Sequence, residues 1–297
     1  KQEIKKFEEK ITNFHRLISA NWLNKFDIDL IGFHGQTLYH NSDEGISLQI
    51  GNGLKLSQDL KTTVVFNFRQ NDILNGGEGA PLTPIYHKLL IDKIEEVKKI
   101  DKPITILNLG GIANITIIKQ KHELFSKDIG PGNCLIDNWV RLNSNKSYDE
   151  NGEIASSGKI DKFILNQTLD NYLNNSVSKK KSLDLNDFNI NFARGLSLKD
   201  GAATITKFTT EILSKHLSGK KILVCGGGRK NKFLIKLLKE KNANIENIDT
   251  FNFNGDFIES QAFAFLAIRS LLKLPITFPT TTGCSKPSTG GQVVKNI

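Results

Sequence analysis

The chain has 297 residues, of which 38% are hydrophobic and 24% charged, with 24 Gly and 7 Pro. Because a domain commonly holds about 150 residues, this length predicts about two domains, each with its own core. The composition excludes collagen-like, disulfide-scaffold and wholly disordered chains. Three cysteines without a CxxC pair, and no apolar run of the ~18–20 residues that cross a bilayer, predict a cytoplasmic protein without a membrane partner.

The charge balance is strongly basic, with a formal net charge of +9 and a pI near 9.3. Such a balance raises the question of nucleic-acid binding. The lysines are scattered through segments such as 179–181 and 236–241, and no RNP-like aromatic motif or Cys/His finger accompanies them. We therefore interpret them as solvated surface that would also suit an anionic substrate, and expect no nucleic-acid partner.

Hydrophobic spacing gives the order of the elements. Ile4, Phe7, Ile11, Phe14 and Ile18 recur at helical spacing and predict a helix over 2–20. Short β-branched or apolar runs predict strands at 29–33, 47–50, 62–66, 104–109, 115–118 and 221–225. Further helices are predicted at 84–94, 135–142, 202–217, 231–239 and 256–272, and a surface connection at 174–191. Strands that alternate with helices predict an α/β protein with parallel or mixed sheets.

Three glycine-bearing turns each follow a strand-like run, at 109–114, 129–133 and 225–229. Without Cβ atoms the backbone can approach a ligand closely, and exposed N–H groups form anion-binding nests. The second and third turns run into predicted helices, whose amino ends favour phosphate. Each turn alone could be a tight turn and nothing more, but three of them favour a nucleotide. Neither a Walker A sequence nor a complete GxGxxG is present.

Two carboxylates lie near the second turn. Asp128 ends a strand-like run directly before the turn, which suits a general base or a ligand in a metal shell. Asp137 lies in the following helix, where a capping or surface charge is the simpler interpretation.

The amino-terminal half and the last apolar helix also carry polar candidates. His34 and Gln36 belong to a turn after a strand, where an ordinary surface histidine is the simpler alternative. Arg69 could grip a carboxylate through its guanidinium fork or form a structural ion pair. Glu259 begins an apolar helix, a position at which the helix dipole already favours a carboxylate.

Together these segments resemble the anhydro-N-acetylmuramic acid kinase family, sugar kinases with a two-lobed actin/hexokinase-like (ASKHA, ribonuclease H-like) fold. The matching motifs run in order along the chain: GFHGQT at 32–37, LQIG at 48–51, FR at 68–69, GGEGAPL at 76–82, LNLGGIAN at 107–114, DIGPGN at 128–133, VCGGG at 224–228, ESQAFA at 259–264 and TG at 282–283. The resemblance implies an α/β fold with mixed sheets and an interlobe cleft. It places a first lobe at 1–98, with 275–297 returning to it, and a nucleotide-binding second lobe at 99–274.

The resemblance also implies a reaction in the recycling of cell-wall peptidoglycan. ATP, with Mg²⁺, would phosphorylate 1,6-anhydro-N-acetylmuramic acid while water opens its anhydro ring, giving N-acetylmuramic acid 6-phosphate. Asp128 matches the catalytic carboxylate that activates the water, and a homodimer is expected. The implied nucleotide-binding residues are Gly110, Gly111, Asn114, Gly130, Gly132, Asn133, Gly226, Gly227, Gly228 and Asn231. The implied substrate-binding residues are His34, Gln36, Arg69 and Glu259, and no residue is assigned to a metal.

Two departures from the family pattern qualify this prediction. Nothing in 1–27 resembles the amino-terminal Gly-Thr-Ser-x-Asp-Gly phosphate hairpin and the chain has no Met, so we expect the first lobe to lack its amino-terminal segment. Asn67 stands where the family has Asp before Phe-Arg, which removes a charge. Two alternatives stay open: another ASKHA-fold sugar or carboxylate kinase, and a non-catalytic nucleotide-binding remnant without the first phosphate loop.

Overall fold

The computed structural model describes residues 2–41, 44–98, 100–120, 123–174 and 183–295. Within them the strands are β1 (Leu30–Phe33), β2 (Gln36–Asn41), β3 (Ile46–Ile50), β4 (Thr63–Phe66), β5 (Ile104–Leu109), β6 (Ile112–Ile118), β7 (Leu124–Pro131), β8 (Lys221–Cys225), β9 (Ile245–Asn247) and β10 (Gln292–Val294). The α-helices are α1 (Gln2–Leu23), α2 (Gly53–Leu60), α3 (Gln70–Leu74), α4 (Pro84–Val97), α5 (Cys134–Asn143), α6 (Glu153–Ser156), α7 (Lys162–Asn174), α8 (Leu198–Ser214), α9 (Lys232–Lys241), α10 (Ile258–Leu271) and α11 (Pro279–Thr282). Short 3-10 helices lie at Glu150–Gly152, Leu185–Asp187, Asn191–Ala193, Gly227–Lys230 and Ile248–Phe251.

The chain divides into two compact units, unit 1 (Lys1–Leu89 with Glu259–Ile297) and unit 2 (Leu90–Ile258). These boundaries differ from the predicted lobes at two places: residues 259–274 lie in unit 1 rather than in the second lobe, and residues 90–98 lie in unit 2 rather than in the first. The cause of the first difference is the apolar face of α10, which packs in the same core as Val65 and Phe68. An apolar helix between two domains does not indicate in its own sequence which of the two cores it enters.

Unit 2 is built on a five-stranded mixed sheet with the strand order β7-β6-β5-β8-β9. β5, β6 and β7 form an antiparallel meander, whereas β8 and β9 run parallel to β5 and to each other. Parallel neighbours need a crossover, which α9 supplies between β8 and β9. A sheet with both parallel and antiparallel neighbours confirms the predicted α/β class with mixed sheets.

The alternation of side chains along the central strand decides what each face of this sheet can do. Leu107 and Leu109 of β5 are fully buried in a core that includes Leu213 of α8 and Leu234 of α9. Successive strand residues point to opposite faces. Asn108, which lies between the two leucines, therefore points away from this core.

Unit 1 has a mixed three-stranded sheet, in which β4 lies between parallel β1 and antiparallel β10, and a separate β2–β3 hairpin. The predicted turn around His34 is shorter than expected, because Gln36 already begins β2. Gly35 makes the reversal with φ +73°, and a side chain there would collide with the carbonyl of Ile50. The sequence analysis missed this strand because its residues, QTLYHN, show no alternation of apolar and polar types.

The predicted surface connection at 174–191 lies partly outside the described residues, which omit 175–182. The part from 183 to 191 holds the 3-10 helix Leu185–Asp187 and the buried Ile190, so it is not simply surface. Across the part of the chain that the structure describes, no helix combines the length and apolar character needed to span a bilayer.

Candidate active site

The first two glycine turns are joined to each other by backbone hydrogen bonds in unit 2. The amide of Gly132 donates to the carbonyl of Gly111 at 2.9 Å, and the amide of Asn133 donates to that of Gly110 at 2.8 Å. The Asn133 side chain also donates to the carbonyl of Leu109 at 3.3 Å. Two of the segments that the sequence singled out are therefore one structural feature.

This contact corrects one expectation about the second turn. Its amides at 132 and 133 do not present an open anion-binding nest, because they already donate to the first turn. Gly132 has to be glycine for the same reason, since a Cβ would meet the carbonyl of Gly110. Gly130 is buried, and a Cβ there would press on Ile212 of α8 at 2.7 Å, so its small size serves helix packing.

The third turn packs against the first two turns, at Leu109 and Asn133. Gly226 has φ +79°, and Gly228 is buried against Leu109 and Asn133. Gly227 differs from both, because it is exposed and a Cβ would approach only Asn133 Nδ2, at 4.0 Å. Of the three consecutive glycines, Gly228 is buried, Gly226 is partly buried and Gly227 is exposed.

Two neighbours of the third turn have structural contacts. Arg229, with its side chain almost fully buried, donates to Asp249 at 2.7 Å and to Asp256 at 2.8 Å, and these ion pairs hold the turn in place. The two hydrogen-bonded carboxylates raise the pKa of Arg229, outweighing the opposing effect of burial. Asn231 is the N-cap of α9 and accepts from the Leu234 amide at 2.9 Å, so its side-chain oxygen is already occupied.

Asp128 belongs to a polar row across the sheet. Asn108 of β5 pairs in register with Asn114 of β6, which pairs with Asp128 of β7. Paired residues on neighbouring strands share a face, so the row lies on the face opposite the buried leucines. β7 continues past Asp128 to Pro131, beyond the predicted strand end, and a bulge falls at Ile129. Bulges often re-aim side chains beside active sites.

Two observations show what the row offers. The Asn114 Oδ1 atom is buried, and within the described ranges no group donates to it. A buried acceptor without a donor is costly, which makes this atom a candidate for contact with a ligand. The amide of Leu183 donates to Asp128 Oδ2 at 3.0 Å, and nearby Leu185 lies against Gly111.

Asp137, one turn into α5, is half-buried rather than a simple surface charge. Burial raises its pKa to about 6, with Asp149 acting in the same direction and Arg141 opposing it. Asp149 itself accepts hydrogen bonds from the amides of Ile154 and Ala155, which is a structural role.

In unit 1 the structure brings His34 and Arg69 together. Arg69 Nε and Nη2 lie 3.1 and 3.0 Å from His34 Nε2, and His34 Nδ1 lies 2.9 Å from the carbonyl of Gly35. Arginine can only donate, so Nε2 accepts and Nδ1 carries the proton. Burial, and then the charge of Arg69, lowers the pKa of His34 to about 4. The imidazole is therefore neutral near pH 7.

The loop after Arg69 is fixed by a buried carboxylate. Asp72 accepts from the Gly79 amide at 2.7 Å and from the Thr282 hydroxyl at 2.7 Å. Arg69 Nη1 donates to the carbonyl of Gly79 at 2.7 Å. Both Arg69 and Asp72 thus hold the GGEGAPL motif in place through hydrogen bonds to Gly79.

The other predicted substrate residues are placed less tightly. Gln36 is exposed and donates to the carbonyl of Thr37 at 3.2 Å. Glu259 is exposed in the first turn of α10, one turn before Phe263, whose ring lies 4.5 Å from that of His34. Asn67 is exposed with φ +57°, a conformation that Asn adopts more readily than most residues. A pocket of about 340 Å³ within unit 1 is lined by Glu8, Phe33, His34, Ser47, Leu48, Gln49, Gly51, Asn52, Phe66 and Asn67.

Comparison with known proteins decides the family. The profile of the anhydro-N-acetylmuramic acid kinase family matches residues 6–296. The anhydro-N-acetylmuramic acid kinase of Pelagibacter ubique is 50% identical, over 99% of this chain and 82% of that protein. Those of Methylobacterium nodulans and Zymomonas mobilis are 39% and 42% identical, over 97% and 93% of this chain and 79% and 76% of theirs. The chain belongs to the anhydro-N-acetylmuramic acid kinase family.

Among solved structures, the activator of 2-hydroxyisocaproyl-CoA dehydratase from Clostridium difficile with bound ADPNP aligns with 57% of this chain and 60% of its own. At 13% identity and a TM-score of 0.37, this likeness supports no conclusion about the kinase.

Several residues that contact the candidate site residues were not predicted from the sequence. The sequence analysis did not single out Asn108, Leu183, Arg229 or Phe263. Asn108 could have been found from the sequence, because it is a lone amide inside an apolar strand. The Leu183 contact joins residues 55 positions apart, so no local sequence pattern indicates it. Among the described residues, no group of three or more His, Cys, Asp or Glu side chains could hold a metal ion.

Proposed function

We propose that this chain is an ATP-dependent kinase that converts 1,6-anhydro-N-acetylmuramic acid and water into N-acetylmuramic acid 6-phosphate. Family membership supports the reaction, and one structural observation supports the assignment of the general base to a particular residue. That observation is the Asp128 carboxylate, which shares a polar row with Asn108 and Asn114 and is held by an amide beside the first glycine turn.

The chemistry assigns one role to Asp128. Water attacks the anomeric carbon of the sugar and gives its proton to the carboxylate. The bond between that carbon and O6 breaks, and the freed O6 takes the γ-phosphoryl group of ATP, which leaves ADP. In the anhydro ring O6 is an ether oxygen and carries no proton. The general base therefore acts on the attacking water and not on O6. A carboxylate in its charged form is suited to this step.

Several features of unit 2 fit a nucleotide. The exposed backbone of Gly227 and the partly exposed Gly110–Gly111 turn allow close approach of phosphate or ribose. Asn114 Oδ1 provides an acceptor that awaits a donor. Mg²⁺, when bound, would neutralise charge on the triphosphate, and it is commonly held by phosphate oxygens with only one or two carboxylates.

In unit 1, Arg69 and His34 are the proposed sugar-binding pair, with Gln36 and Glu259. A guanidinium suits the lactyl carboxylate of muramic acid. Neutral His34, already accepting at Nε2, serves to orient Arg69 rather than to add a second positive charge.

The experiment measures ADP release by the full-length protein with and without the anhydro-sugar. Replacing Asp128 by Asn should lower sugar-dependent kcat by about 10²–10⁴-fold, the usual contribution of a general base. Asp137→Asn is the matched control, a nearby half-buried carboxylate outside the polar row, and should retain activity within a few-fold. Sugar-dependent ADP release that survives Asp128→Asn would remove the proposed base. Equal turnover of glucose or acetate would favour another kinase of this fold.

The cellular setting belongs to the same proposal. We place the kinase in the cytoplasm, as a homodimer that acts in peptidoglycan recycling, on the strength of its family alone. Mass photometry of the purified protein tests the dimer: a single species at the monomer mass would contradict it.

A further inference from the structure

A segment that follows Asp128 at long range contacts it directly. We call residues 183–192 the strap. At its start, the amide of Leu183 donates to Asp128 Oδ2 at 3.0 Å. Two residues later, Leu185 Cδ2 lies 3.5 Å from the position that a Cβ of Gly111 would take. The strap thus contacts the proposed base and runs beside the first glycine turn.

The strap is held in a defined shape at this point. Asp184 accepts from the amide of Asn186 at 2.9 Å, and the amide of Asp184 donates to the Asp187 carboxylate at 2.8 Å. This reciprocal pattern is a capping box around the 3-10 helix Leu185–Asp187. A capped turn directly after Leu183 limits the directions in which its N–H can point.

Aromatic packing anchors the other end of the strap. The ring of Phe188 stacks on Tyr172 of α7, and Phe192 lies 5.1 Å from Phe208 of α8. Burial, with a contribution from the nearby Asp187 carboxylate, raises the pKa of Tyr172. α8 also packs against β7, on which Asp128 lies, so the anchor and the carboxylate are carried by elements that contact each other.

We propose that the strap is a positioning element for the catalytic carboxylate, and that the Leu183 amide is the group through which it acts. The inference rests on the proposed role of Asp128 as the base. A donor at Oδ2 favours the charged form of a carboxylate and fixes its orientation. Both effects would ready Asp128 to take a proton from water, without contact between the strap and the sugar.

The two consequences can be separated by kinetics. Loss of the amide donor disfavours the charged carboxylate, so the acidic limb of the kcat profile should move to higher pH by about half to one unit. Loss of orientation should lower the plateau kcat by about tenfold, with little change in KM. A structural defect alone would reduce the amount of active enzyme without moving the pH profile.

The chain offers a matched pair of variants at one position. Leu183→Ala keeps the amide, whereas Leu183→Pro removes it, since proline has no N–H. Incorporation of leucic acid at 183 replaces the same N–H by an ester oxygen and keeps the side chain. We expect the proline and ester variants to show the displaced acidic limb, and the alanine variant to keep the wild-type limb. Equal pH profiles for alanine and ester variants would overturn the proposal.

A second measurement does not depend on activity. In protein labelled with ¹⁵N-leucine, the Leu183 amide resonance should shift as Asp128 titrates, and Asp128→Asn should abolish that shift. A Leu183 resonance insensitive to both pH and this substitution would refute the contact. Absence of sugar-dependent ADP release in the wild type would refute the proposed function instead, while the amide titration still decides whether the strap holds the carboxylate.

Discussion

Unit 1 should lose stability as the pH falls from neutrality, because it holds two neutral histidines, the buried His87 and the partly buried His34. The pKa of His34 is lowered to about 4 by burial and by the charge of Arg69, and burial lowers that of His87 to about 3. An unfolded histidine takes up a proton below its ordinary value of 6.5, whereas these folded ones do not. The unfolded state therefore binds more protons between pH 6.5 and 4, and stability falls with pH across that window.

The expected size follows from the same values. At pH 5.5 an unfolded histidine is mostly charged, and a folded one with a pKa near 4 or 3 is mostly neutral. Each histidine should therefore reduce the free energy of unfolding by about 1 kcal/mol between pH 7.5 and 5.5, and the two together by about 2–3 kcal/mol. Ordinary carboxyl groups titrate below this range. Asp137 of unit 2 is the exception: its pKa is raised to about 6, so it takes up a proton within the window and offsets part of the histidine effect in the whole protein.

Urea unfolding at pH 7.5, 6.5 and 5.5 measures this dependence. His34→Gln and His87→Gln should each remove about half of this histidine contribution, and the double variant should remove nearly all of it. The comparison uses slopes, so a constant loss of stability in a variant does not affect it. Equal pH slopes for the wild type and the double variant would refute the lowered pKa values of these two rings.

Two further predictions concern backbone and buried polar groups. Gly132→Ala should destabilise unit 2 by about 2–3 kcal/mol in urea unfolding, because its Cβ collides with the Gly110 carbonyl. Gly227→Ala, where the Cβ meets no close atom, should cost under about 1 kcal/mol. Similar losses for the two variants would contradict the contact between the first two turns. Asp72→Ala should cost about 2–4 kcal/mol by leaving a loop amide and the Thr282 hydroxyl unsatisfied, and Asp72→Asn should recover part of this; thermal unfolding in which alanine and asparagine match the wild type would contradict it.

Local patterns in the sequence predicted the elements with strong hydrophobic spacing, but not the helices α2 and α7 or the short strands β9 and β10. The helix at 84–94 and the strands at 104–109 and 221–225 were readable because their hydrophobic spacing reflects burial that each element needs wherever it packs. β2 was missed, since its exposed and partly exposed residues give no alternation of apolar and polar types. The assignment of α10 to unit 1 depended on a distant core, which no local window contains.

The candidate site was predictable in its residue types but not in its contacts. Glycine after a strand indicated close backbone approach, and Asp128 stood out as a carboxylate beside such a turn. The pairing of His34 with Arg69 joins residues 35 positions apart, and the Leu183 contact joins residues 55 apart. Hydrogen bonds of this kind follow from the tertiary fold, so the sequence left them open.

The glycines of the three turns have different structural roles, and these roles indicate which of them could contact a nucleotide. Gly130 gives room to a helix, and Gly132 and Gly228 let one turn lie against another. Their missing side chains are thus explained by protein packing. Only Gly111 and Gly227 are exposed, and a Cβ at either would meet no atom closer than 3.5 Å. Since packing does not demand glycine at these two positions, close approach of a ligand is the remaining physical reason for it, and they are where phosphate or ribose contact is expected.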